Sequence, residues 1–118
     1  MTKLDELTPT EIEKALKAGE ITLIDVREPP EFAAERIHGA LLFPLSTFDP
    51  KMLPESVNRP IVFHCGSGKR SATAAMQAQA AGVPVTRHMK GGIMAWKQAK
   101  LPTIVIDPAT GKVKDAPA

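Results

Sequence analysis

PIVFHCGSGKRSATAAMQ, residues 60–77, reads as three successive pieces of structure. PIVFHC is a continuous apolar run rich in β-branched residues, the pattern of a strand buried on both faces. GSGKR contains two glycines and no proline, so every residue keeps its backbone N–H and two of them can take positive φ. Ser71 to Ala81 is alanine-rich helix, stopped by Gly82. A buried strand, a tight loop and a helix in that order make one unit of a parallel α/β sheet. The chain's only cysteine, Cys65, stands at the carboxyl end of the strand, where such sheets bind ligands.

The flanking sequence repeats the alternation. Thr8 and Glu11 form a capping box with Pro9 at the first helical position, and Leu7 and Ile12 are spaced as a hydrophobic staple. That helix closes at Gly19. ITLIDV (21–26) is a second buried strand, PEFAAERI (30–37) suits a short helix, and His38-Gly39 turns into ALLFPL. Prolines at 44, 50, 54 and 60 leave the next segment as loop with one helical turn. VPVTRHM (83–89) supplies a short strand, IMAWKQA (93–99) a helix after Gly91-Gly92, and LPTIVID (101–107) a last strand. The expected fold is a three-layer α/β domain, its parallel central sheet covered by helices on both faces. It forms one domain over 1–118, with 104–118 as a C-terminal extension. Beyond Asp107 three forms stay open: a disordered tail, an extra edge strand or a partner contact.

Composition excludes several functions. The chain has 118 residues, one Trp, four Phe and no Tyr, so it lacks the stacking rings of single-strand nucleic-acid binders. A net charge of +2 without a Lys/Arg block points away from nucleic acid. One cysteine rules out an internal disulfide and a cysteine-cluster metal site. MTKLDELTPTEIEK carries no apolar h-region, and the longest apolar runs are too short to span a bilayer. A soluble, cytoplasmic chain is expected.

The cysteine loop carries the chemistry. Converging N–H groups of residues 66–70 and the positive end of the following helix form an anion cradle. Lys69 and Arg70 add full charge, and the whole environment favours thiolate at Cys65. Asp25 and Arg27, at the end of the neighbouring strand, are expected to order the loop by hydrogen bonds or ion pairing, with Ser71 supporting it at the helix start. Glu28 and Arg36 are placed to pair across the next turn. His64 points to the opposite face from Cys65. His38 and His88 fall in turn-like contexts without metal-ligand spacing. Trp96 reads as a core anchor, and Met76, Met89 and Met94 as packing.

CGSGKR resembles the C-x-x-G-x-R active-site loop of the rhodanese family. LIDVREPPEF resembles that family's first central strand and turn, ERIHGALLFPL its H-I-x-G-A region, and KGGIMAWKQAKLP its closing G-G-x-x-x-W segment. Together they cover about residues 5–103. The resemblance implies a single-domain thiosulfate sulfurtransferase without a cofactor. Cys65 would accept a sulfane sulfur as a persulfide, and Gly66, Ser67, Gly68, Lys69 and Arg70 would bind the anionic donor. Cyanide or a thiol, including that of a thioredoxin-like protein, would take the sulfur away, with no nucleic acid or membrane involved. Protein-tyrosine and dual-specificity phosphatases and arsenate reductases are the rival class. Their H-C-x5-R pattern needs Arg where this chain has Ser71, and Asp49 is the one loop carboxylate available as their acid. A non-catalytic binding module on the same fold is the third reading.

Overall fold

The structure is a computed structural model that describes residues 4–116. Along the chain it contains β1 (Asp5–Leu7), α1 (Pro9–Lys17), β2 (Thr22–Asp25), α2 (Pro29–Ala34), β3 (Glu35–Arg36) and β4 (Leu41–Leu42). Two 3₁₀ turns follow, then β5 (Ile61–His64), α3 (Lys69–Ala80), β6 (Arg87–Met89), α4 (Gly92–Gln98), β7 (Thr103–Ile106) and β8 (Val113–Ala116). The main sheet runs β1-β6-β5-β2-β4 with every neighbouring pair parallel. From β2 the chain moves outward to β4, and from β5 it moves the other way to β6. The direction therefore switches between β2 and β5, which puts Asp25 and His64-Cys65 where a parallel sheet opens a crevice.

Alternate residues of the central strands feed two cores. Leu23 and Val62 pack with Ile12 of α1 and with Ile93 and Trp96 of α4. Ile24 and Phe63 pack with Ala74, Ala75 and Ala78 of α3. Each fully buried Leu, Ile or Phe stabilises the fold by about 1.5–3 kcal/mol. Helices thus cover both faces, as expected. The Thr8 capping box is present in full, Thr8 Oγ1 accepting from Glu11 N–H and Glu11 returning the bond.

Several expectations need correcting. The helix expected over 30–37 ends at Ala34, and Glu35 is extended. Arg27 Nη2 donates to the Glu35 carbonyl at 2.6 Å, while Thr103 Oγ1 and Lys97 Nζ hold its carboxylate. These ties draw Glu35 and Arg36 into a second sheet, β3-β7-β8, which is antiparallel. The segment after Asp107 takes the edge-strand form as β8. The strand expected over 83–89 is confined to Arg87–Met89; Val83 and Val85 spend their N–H groups within a turn, and Pro84 has none. The helix expected from Ser71 begins at Lys69. Met89 is buried, but Met76 and Met94 are 46% and 58% exposed and do not pack. Trp96 is a core anchor whose Nε1 donates to the Pro102 carbonyl. Among the described residues no helix is long and apolar enough to cross a membrane.

Candidate active site

β5 delivers Cys65 to the sheet's carboxyl edge, and the loop 66–68 folds over it. Gly68 has φ +107° and caps α3, which explains a glycine there. Gly66 needs no positive φ, contrary to expectation. The turn directs donors onto the sulfur: Gly68 N–H lies 3.1 Å and Ser71 N–H 3.3 Å from Cys65 Sγ. Ser71 Oγ stands at 3.5 Å.

The closing Gly91-Gly92 segment holds this arrangement from behind. Ile93 N–H donates to the Cys65 carbonyl at 2.8 Å and Met94 N–H to the Gly66 carbonyl at 3.2 Å. In a trans peptide the next N–H points the opposite way, so fixing the Gly66 carbonyl toward α4 turns Ser67 N–H toward the thiol. A Cβ on Gly92 would stand 2.4 Å from the Cys65 carbonyl oxygen. Only glycine allows the approach.

The thiol has no exposed surface. Burial alone would push its pKa up, but bonds from Ser71 Oγ and from the N–H groups of Ser71, Gly68 and Ser67 outweigh burial and leave it below the ordinary value. Lys69 is exposed in the first turn of α3. Arg70 lies beside the loop but is engaged: Nη1 and Nη2 reach the two carboxylate oxygens of Glu31 at 2.6 and 2.9 Å. The Arg70 bond drives the Glu31 pKa down to about 2 against the opposing effect of burial.

Asp25 and Arg27 are buried and bind each other, Arg27 Nε and Nη2 gripping the carboxylate at 2.8–3.1 Å. Neither side chain hydrogen-bonds residues 66–70, so their support is indirect, through the strand end. His64 faces Asp25, with Nε2 3.5 Å from Oδ2 and without a hydrogen-bond partner among the described residues, while Nδ1 meets the Cys65 carbonyl. Its side chain points away from the thiol, as expected. The expected Glu28–Arg36 pair is absent among the described contacts: Glu28 binds Ser46 and Arg36 stacks on Phe32. Asp49 accepts from Lys51 N–H and caps a turn.

Sequence reading missed three residues here. Glu31 lies inside the expected 30–37 helix, where no local pattern ties it to Arg70. Gly92 belongs to the pair that precedes the expected 93–99 helix, with no role at the thiol assigned to it. His88 is expected in a turn, yet it is buried on β6 with Nδ1 3.0 Å from Ser71 Oγ. A polar residue on a short strand, three before the Gly91-Gly92 pair, is the signal.

Comparison with known proteins agrees with this geometry. Residues 8–99 match the model of the rhodanese-like domain. An uncharacterized protein of Synechocystis sp. is 39% identical over 94% of this chain, which spans 58% of that protein's length. A sulfurtransferase of Allochromatium vinosum is 32% identical over 72% of this chain and 79% of its own. The human single-domain sulfurtransferase TSTD1 superimposes with a TM-score of 0.67 at 28% identity, over 79% of this chain and 95% of that one. The fold, the cysteine loop and these relatives lead to one assignment: the chain belongs to the rhodanese-like family of sulfurtransferases.

Proposed function

We propose that this chain moves a sulfane sulfur from thiosulfate or a related donor to cyanide or a thiol, by way of a persulfide on Cys65. The observation that carries the reading is the ring of N–H donors converging on Sγ from Gly68 and Ser71 at 3.1 and 3.3 Å. Such donors favour thiolate over thiol and suit the anionic persulfide equally. The thiolate attacks the outer sulfur of thiosulfate, a new S–S bond forms, and sulfite departs with the electron pair of the old one. Sulfite is a stable anion, so the step needs no acid. The acceptor then attacks the outer persulfide sulfur, and Cys65 regains its thiolate. Cyanide becomes thiocyanate; a thiol becomes a persulfide, a thioredoxin-like dithiol among the acceptors. No cofactor enters either half.

Residues 66–70 form the donor subsite in this proposal, Lys69 raising the local potential and Arg70 sharing its charge between Glu31 and the incoming anion. A thiol that must stay reduced between turnovers suits a cytoplasmic location. The test is thiocyanate production from thiosulfate and cyanide by wild type and Cys65→Ser, with aryl phosphate and arsenate assayed in parallel. Turnover confined to sulfur and lost in the variant is expected. Phosphate or arsenate turnover instead would replace the proposal with a phosphatase-like reading, and inertness toward all substrates with a binding module.

A further inference from the structure

A fully buried thiol cannot pass its proton directly to water, yet it must become a thiolate to react. The neighbours of Cys65 offer one route out. Ser71 Oγ, itself fully buried, lies 3.5 Å from Sγ and 3.0 Å from His88 Nδ1. On the far side of the ring, His88 Nε2 is 3.6 Å from Glu6 Oε2, a carboxylate on β1 whose side chain is 53% exposed. Four groups therefore run in a line from the sulfur to solvent. His64, though next to the cysteine in sequence, faces the other way and cannot serve.

We propose that Ser71, His88 and Glu6 form a proton relay for Cys65, with His88 acting as the base through the Ser71 hydroxyl. In the thiol form Sγ–H donates to Ser71 Oγ, the Ser71 O–H turns from the Gly68 carbonyl, 3.2 Å away, to donate to His88 Nδ1, and Nε2–H faces Glu6. Transfer breaks S–H and makes O–H while the serine's original O–H breaks and Nδ1–H forms. The product is a thiolate that accepts from Ser71, which accepts from an imidazolium facing the Glu6 carboxylate. Two protons shift, charge is conserved and no heavy atom must move. Serine suits the middle position because a hydroxyl donates once and accepts twice. The return path reprotonates Cys65 after an acceptor has removed the sulfur.

The groups that face His88, among the described residues, are Glu6 from β1, Ser71 from α3 and, through Ser71, Cys65. Its register partner on β5, Phe63, is apolar, and the flanking Arg87 and Lys90 are exposed. Burial holds the His88 pKa below its ordinary value and Glu6 opposes that. The free ring is thus neutral near pH 7, the state a base requires.

The relay deepens the proposed sulfur transfer, but its test reads the thiol itself. The rate of Cys65 alkylation by iodoacetamide is measured against pH for wild type, His88→Gln and Glu6→Gln, alongside thermal melts. His88→Gln can hold the Ser71 hydroxyl but cannot take up a proton. It is expected to move the alkylation midpoint to higher pH by about one unit, a tenfold loss of thiolate below it, and Glu6→Gln to move it less. In NMR titrations of wild type, His88 should report the ionisation of Cys65, and Cys65→Ser should erase that step. A His88→Gln profile that superimposes on wild type, whatever its melting temperature, would overturn the relay. A shifted profile in a protein that forms no thiocyanate would keep the relay and overturn the sulfur-transfer reading alone.

Discussion

His64 and Cys65 are neighbours at the end of one strand, and their surroundings are built for opposite purposes. His64 lies over the buried Asp25–Arg27 pair, where charges are matched and held. Cys65 lies under N–H groups from Gly68 and Ser71 that all point at one atom. Alternation along the strand separates the two by one residue step. The first set of contacts secures the strand end; the second sets the state of a reacting sulfur. A change on the His64 side should register in stability, and one on the Cys65 side in reactivity.

Asp25→Ala tests that division hardest. It strands the Arg27 guanidinium, 4% exposed, without its carboxylate, and should cost about 3–5 kcal/mol in denaturant melts. Alkylation of Cys65 in the folded variant should keep its pH midpoint; a midpoint that moves with stability would erase the distinction. Gly92→Ala works at the junction, since its Cβ would meet the Cys65 and Gly66 backbone at 2.4–2.5 Å and its φ is +61°. It should lose about 2 kcal/mol or more and also raise the thiol midpoint, because the loop carbonyls lose their anchor. Arg70→Ala belongs to the Cys65 side. Its pair with Glu31 is more than a third exposed at both partners, so the stability change should be about 1 kcal/mol or less. The KM for thiosulfate should rise about tenfold, the worth of one charged hydrogen bond. Equal losses in both would make Arg70 structural.

The smallest effect is the response to acid. Burial lowers the His64 pKa from 6.5, with Asp25 opposing, so the fold favours the neutral ring. Its contribution to stability is complete above about pH 6.5 and falls away as pH drops through the lowered value. Glu31, lowered from 4.5 to about 2, contributes above pH 4.5 and is lost toward pH 2. Stability measured against pH should therefore decline in two stages, and His64→Gln should shrink only the upper one, leaving the share that His88, lowered from the same 6.5, contributes.

Most of the main sheet could be read from sequence because its central strands are continuous apolar runs and its helices carry caps, as Thr8 and Glu11 show. The second sheet could not. Glu35-Arg36 continues an alanine-rich helical pattern, and only the distant Arg27, Lys97 and Thr103 pull it extended. β1 failed for a similar reason: Asp5–Leu7 has no period of its own and takes its form from pairing with β6. In the site, Cys65, the glycines and the basic pair announced themselves through local spacing. Glu31 and His88 act from 39 and 17 residues away from Arg70 and Ser71, and no local pattern records such contacts.

The most direct measurement is the intact mass of the protein before and after thiosulfate, for wild type and Cys65→Ser. Wild type alone should gain one sulfur atom, which cyanide removes. An unchanged wild-type mass, with Cys65 shown to be reduced and alkylatable, would contradict the Cys65 persulfide.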